Sequence, residues 1–141
     1  MTEDEARRRF AGARVARLAT ADGAGLPHLV PMVFAVDHNT VYSAVDHKPK
    51  RTTALRRLAN VAVNPAVSLL ADHYDDADWD RLWWVRADGA GRLVAAGSDE
   101  AGRAVALLCG RYPQYVDRPP SGPVLAVDVH RWSGWTGWTG G

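Results

Sequence analysis

Apolar and polar positions change their period several times along the chain, and each change marks an element. Thr2-Glu3-Asp4-Glu5 has the spacing of a capping box, with acids in the first turn and Arg7, Arg8 and Arg9 behind them. A helix is predicted from Glu3 to Ala11, ending near Gly12. Val15 to Thr20 then reads as a short strand, followed by the turn-rich Ala21 to Gly25. Pro27 to Val36 reads as a second strand, with Pro31 in its middle unable to donate to a ladder. That proline demands an edge, a bulge or a stretch without a strand neighbour. After the turn Asp37-His38-Asn39, a third strand is predicted from Thr40 to Asp46 at hairpin distance.

Leu55, Leu58 and Ala59 fall at i, i+3 and i+4 behind Thr52 or Thr53, either of which can cap a short helix. Asn64-Pro65 breaks it, and Ala66 to His73 reads as a strand followed by an acidic linker, Tyr74 to Asp80. Leu82 to Arg86 and Gly91 to Ala96 read as one long strand interrupted at Asp88 to Gly91, by either a bulge or a hairpin. Ser98 to Arg111 has a serine cap, acids in its first turn and Pro113 to close it, so a helix is predicted there. Val124 to Trp132 is the last strand, and 133–141 reads as a Trp- and Gly-rich tail. Short strands joined by tight turns, with few helices between them, favour a closed or partly closed antiparallel barrel over a doubly wound sheet. The fold class is therefore mainly β with a few helices, in a single domain over 1–141 whose first 13 residues are the N-terminal helix.

Composition is that of a soluble globular chain, 47% hydrophobic and 23% charged, which argues against disorder. The single cysteine, Cys109, leaves no partner for an internal disulfide and suits a reducing compartment; its apolar neighbours Leu107 and Leu108 suggest a buried, inert thiol. The charged N-terminus is unlike a secretory signal, and no apolar run approaches the roughly 18 residues of a membrane span. A cytoplasmic protein is the expectation. The five histidines lack metal-ligand spacing, and neither a G-x-G-x-x-G nor a Walker loop is present.

Charge changes the picture at one place. The net charge is only +1, from 17 basic and 16 acidic residues, yet Lys48, Lys50, Arg51, Arg56 and Arg57 cluster in 17 residues from Ser43 to Ala59. No acid occurs between Asp46 and Asp72, and without those five the chain is slightly acidic. A compact cationic patch of this kind suits a small, multiply charged anion, and the acidic remainder argues against nucleic acid. Lys48, Lys50 and Arg51 precede a helix start, where backbone amides and the dipole already favour anions, and Thr52 and Thr53 add hydroxyl donors. Arg56 and Arg57 lie one turn on; Arg57 ranks below Arg56 because its neighbours suggest an exposed face.

Several stretches together resemble a known group: Ala16-Arg17-Leu18-Ala19-Thr20, Pro27 to Phe34, Val45 to Arg51, Asp72-His73-Tyr74, and Arg81-Leu82-Trp83-Trp84-Val85-Arg86. The chain is similar, from about Arg14 to Trp138, to actinobacterial oxidoreductases that use the deazaflavin coenzyme F420, within the pyridoxamine 5′-phosphate oxidase-like superfamily. The resemblance implies a split β-barrel homodimer with a cofactor in each groove between subunits. It implies a ring lying against Pro31, Met32 and Val33 and against Ser43, Ala44 and Val45. It assigns the cofactor phosphate to Lys48, Lys50 and Arg51, with Thr52 helping, and leaves Arg56 for the anionic tail. Aromatic residues of the partner subunit, Trp83 or Trp84 and Trp138, are expected to complete the site. The implied activity is hydride transfer from reduced F420 to an unsaturated or conjugated organic substrate, with Tyr42, Tyr74, His73 or water as proton donor. FMN in the same barrel, or a module that holds a flavin-type cofactor without turnover, are the alternatives.

Overall fold

The computed structural model describes residues 1–45 and 53–137. Among these residues seven strands and four helices follow one another as α1 (Glu3–Gly12), β1 (Ala16–Ala21), β2 (Pro27–Met32), β3 (Ala35–Asp37), β4 (Thr40–Ala44), α2 (Thr53–Val63), β5 (Ala66–His73), β6 (Trp83–Val94), α3 (Asp99–Arg111), α4 (Gln114–Asp117) and β7 (Val124–Thr136), with a 3-10 turn at Trp79–Arg81. The strands form one antiparallel sheet in the order β2-β1-β5-β6-β7-β4-β3. Its two edge strands, β2 and β3, are separated in sequence only by Val33 and Phe34. Two residues span only a few ångströms, so the sheet must curl until its edges nearly meet. The result is the expected barrel, open along one seam.

That geometry corrects the single strand predicted over Pro27 to Val36. The run is two strands on opposite edges, broken at Val33 and Phe34. Pro31 lies in β2, which pairs only with β1, so its missing N–H costs no ladder bond. β4 stops at Ala44, two residues short of the predicted end; Val45 is buried just beyond it, and Asp46 lies outside the described residues.

β6 is one continuous strand, so the interruption at Asp88 to Gly91 is a bulge and not a hairpin. Asp88 faces Arg131 and Gly89 faces Val129, which leaves His130 as the extra residue on β7. Only glycine fits at 89, because a Cβ there would run into the Asp128 carbonyl. The predicted tail is also corrected: residues 133–136 continue β7 against Trp83–Arg86 of β6. Gly134 faces Val85, and a Cβ at 134 would sit 2.8 Å from the Trp84 carbonyl oxygen. This glycine permits close packing where the sequence pattern suggests a chain break.

The helices pack on the sheet, and α1 and α2 add side chains to its main core. Thr2 caps α1 by accepting from the Glu5 amide at 3.1 Å, and α1 buries Ala6 and Phe10 against β6 and β7. The Phe10 ring meets Phe34 at 4.7 Å and Trp132 at 5.4 Å between centroids, in the main apolar core with Leu18, Leu69, Val85 and Val127. α2 turns Val61 inward and pins itself to β1 through the buried Asn60 amide, which donates to the Thr20 hydroxyl at 3.0 Å. Ser98 caps α3, and Pro113, which ends it, also starts α4, a short helix the sequence reading did not anticipate. Cys109 is half-buried, not buried as expected, and its thiol donates to the Tyr115 carbonyl at 3.3 Å between α3 and α4. Among the described residues no helix is long and apolar enough to cross a membrane.

Candidate functional site

A cavity lies at the seam of the sheet. Pro31 and Met32 at the end of β2, Val33 in the joint, and Ser43 and Ala44 at the end of β4 form one wall, with Val15 beside them. These residues come from opposite sides of the seam, so only closure of the barrel brings them together. The adjoining wall is helical: Arg57 from α2, Tyr112 at the end of α3, and Gln114, Tyr115 and Arg118 from α4 and its end; Ala44 and Tyr112 share one apolar cluster, with Val33 and Tyr115 packed against it. The cavity between them is about 640 Å³, within the range of roughly 300–1,000 Å³ common for small-molecule sites. The strand part is hydrocarbon apart from Ser43, and the helical part carries phenols, a carboxamide and two guanidinium groups. Such a pair of walls accommodates a flat apolar ring bearing anionic substituents.

Five of the sequence-predicted residues, Pro31, Met32, Val33, Ser43 and Ala44, therefore line one cavity. Val45 is buried next to them without lining it. Arg56 is exposed, and the structure brings Arg57 to the cavity in its stead. The reason is helical period: Arg57 is one turn before Asn60 and Val61, both buried against the barrel. That spacing was available in the sequence and corrects the ranking of the two arginines. Lys48, Lys50, Arg51, Thr52 and Trp138 lie outside the described residues, as does His47.

Trp83 lies elsewhere in the chain's own fold. It borders a second opening of about 500 Å³ with Glu5, Arg9, His73 and Asp80. Its ring stacks on His73 at 6.3 Å between centroids, with the Arg9 guanidinium 5.6 Å from it. Trp84 projects to the opposite face, directly across the ladder from Trp135.

None of the three side chains considered as proton donors reaches the cavity lining. The Tyr42 hydroxyl donates to Glu100 at 2.7 Å, and burial followed by that carboxylate raises its pKa. Tyr74 is exposed and donates to Asp76 at 2.8 Å, while His73 faces the second opening. Glu100 in turn is held at about 2 by hydrogen bonds from Arg92 and then from Tyr42. Arg92 also donates to Asp128 at 2.7 Å, so this charged cluster ties the start of α3 to β4, β6 and β7.

The residues missed by sequence reasoning are those of the helical wall. Arg111-Tyr112-Pro113-Gln114-Tyr115 and Arg118 look like a polar linker after a helix stop. Two tyrosines interleaved with arginines were the only local signal. Among the described residues no cluster of three or more histidine, cysteine or acidic side chains is arranged to hold a metal ion, and the cavity lining has no imidazole or thiol.

The sequence profile of the family described as pyridoxamine 5′-phosphate oxidase matches residues 2–136. No curated protein matches the chain in sequence. Among solved structures, a conserved hypothetical protein from Mycobacterium tuberculosis is 25% identical with a TM-score of 0.71, covering 96% of this chain and 85% of its own. The heme storage protein HutZ from Vibrio cholerae is 17% identical with a TM-score of 0.72, over 97% and 96% of the two chains. An FAD-binding protein from Mycobacterium smegmatis is 20% identical with a TM-score of 0.65, over 98% of each.

Proposed function

Since the chain belongs to the pyridoxamine 5′-phosphate oxidase family, we propose that its seam cavity holds a planar flavin-type cofactor, coenzyme F420, and that the protein is an F420-dependent oxidoreductase. The observation that carries this reading is the make-up of the lining: an apolar strand surface at Pro31 to Val33 and Ala44 in one cavity with Arg57 and Arg118. A deazaflavin ring has two flat apolar faces, and its phosphate and oligoglutamate tail are anionic, so both walls have something to hold. In this reading the basic segment Lys48, Lys50, Arg51 and Thr52 grips the phosphate ahead of α2. Arg57 extends that cation field into the cavity.

When bound and reduced, F420 supplies a hydride to an unsaturated or conjugated organic acceptor. The chain's own contribution is orientation and exclusion of water. Val15, Met32, Val33 and Ala44 keep one side of the ring dry, and the strand ends fix its plane. The two guanidinium groups offset negative charge that would otherwise be desolvated in the cavity. Tyr42, Tyr74 and His73 do not line the cavity, and the proton that completes the reduction is assigned to water.

FMN is the second reading, favoured by the similarity to a mycobacterial FAD-binding protein, and the same walls serve its ring and phosphate. A homodimer with the cavity in the groove between subunits fits the outer sheet face. Leu29 on β2, Leu70 on β5 and Trp135 on β7 are 67%, 39% and 40% exposed there. Strands β2, β1, β5, β6 and β7 are neighbours, so these side chains share one broad surface. The activity is tested by following oxidation of reduced F420 with a panel of conjugated acceptors; no acceptor-dependent oxidation would leave only a binding module.

A further inference from the structure

The break between β2 and β3 leaves a structural problem that a single side chain solves. β2 pairs with β1 up to Met32, opposite Ala16, and β3 begins its ladder at Ala35, opposite Tyr42. Val33 and Phe34 thus have no strand neighbour, and Phe34 is fully buried. A buried peptide without partners is strongly disfavoured. The Tyr112 hydroxyl takes the place of the missing strand. It accepts from the Phe34 N–H at 3.1 Å and stands 2.9 Å from the Phe34 carbonyl oxygen. The Arg14 carbonyl, at 3.0 Å, competes for the same single proton.

Tyr112 is itself held rigidly. The Arg14 and Arg111 guanidinium groups lie 4.8 and 5.4 Å from its ring centroid. Arg111 also lies 5.3 Å from the Phe34 ring and donates to the carbonyls of Ala11 and Ala13 behind α1. Phe34 is clamped by its ring against Phe10 and by its backbone through Tyr112. Val33, one residue before, is part of the cavity wall, and so is the Tyr112 side chain. The hydroxyl bond therefore sets the separation of the two walls, one carrying Met32 and Val33, the other beginning at Tyr112.

We propose that Tyr112 is a positioning residue: by substituting for a strand at Phe34, its hydroxyl fixes the wall against which the planar ligand lies. This rests on the flavin-type reading of the cavity. Tyr112→Phe keeps the ring and its stacked arginines and removes only the oxygen. Tyr42→Phe is the matched control, because it also removes a hydroxyl hydrogen bond, to Glu100, from the same barrel but away from the cavity.

The experiment measures F420, FMN and riboflavin titrations of wild type and both variants, with amide hydrogen exchange at 32–35. Tyr112→Phe is expected to speed exchange at Phe34, weaken the preferred ring on the order of tenfold and shift its bound absorption spectrum. Tyr42→Phe, with a similar loss of thermal stability, is expected to bind the ring as wild type does. Unchanged exchange at Phe34, or faster exchange with unaltered affinity and spectrum, overturns the inference. A loss of affinity in Tyr42→Phe equal to that in Tyr112→Phe overturns it too, since general softening of the barrel then suffices. Wild-type protein that binds none of the three rings contradicts the cofactor reading instead, and exchange at Phe34 alone then decides whether Tyr112 holds the joint.

Discussion

The Tyr42 hydroxyl donates to Oε2 of Glu100 at 2.7 Å, and the same carboxylate receives both ends of the Arg92 guanidinium at 2.7 and 2.6 Å. Glu100 is thereby held at about 2, below its ordinary 4.5. A depressed carboxylate stabilises the fold at pH above 4.5 and loses that contribution as pH falls toward about 2. Arg92 is 42% exposed on its side chain, so solvent screens part of the pair. Glu100→Gln should therefore cost only about 1 kcal/mol at neutral pH. In chemical denaturation the difference from wild type should shrink as pH is lowered through that window. A gap that stays constant down to the acid limit would show that the ion pair is not its source.

Two glycines with opposite surroundings predict opposite outcomes. Gly89→Ala drives a Cβ into the Asp128 backbone at the bulge, and should cost on the order of 2–4 kcal/mol in an equilibrium unfolding measurement. Gly102 lies in α3 with nothing within 4 Å of an added Cβ, so Gly102→Ala should stabilise by about 0.5–1 kcal/mol.

The two neighbouring arginines of α2 should separate cleanly. Arg57→Ala removes a cation from the cavity wall and should weaken the anionic cofactor by roughly 1.5–3 kcal/mol, read by fluorescence titration. Arg56→Ala, at an exposed position, should change it by less than about 0.5 kcal/mol. Lys50→Ala and Arg51→Ala should each behave like Arg57→Ala; unchanged affinity in both would move the phosphate grip elsewhere.

These contrasts show what was legible in the sequence. Caps, turns and alternation marked the helices and strands because those signals are local, as at Thr2, Ser98 and Asp37 to Asn39. The failures were at places decided by distant partners. Phe34 breaks a run that alternates well because its hydrogen bonds go to Tyr112, 78 residues away. Gly134 extends a strand because β6 crowds it. The strand part of the cavity lining consists largely of residues named from the family resemblance, Pro31 to Val33, Ser43 and Ala44. The helical wall, from Tyr112 to Arg118, reaches the cavity only through the packing of α3, which no local pattern encodes.

The exposed sheet face predicts its own disruption. Leu29→Arg, at a position 67% exposed on edge strand β2, should convert a dimer to monomer in sedimentation velocity without altering the circular dichroism of the fold. Wild-type protein that sediments as a monomer, or a coefficient unchanged by the substitution, would contradict a dimer formed through this face.

The proposed occupant of the cavity lined by Pro31 to Val33, Arg57 and Arg118 is a deazaflavin. Apo-protein titrated side by side with F420 and FMN, each followed by fluorescence, tests it most directly. Saturable binding of F420, tighter than that of FMN and weakened by Arg57→Ala, is expected. Protein that retains FMN and shows no F420 binding would contradict it.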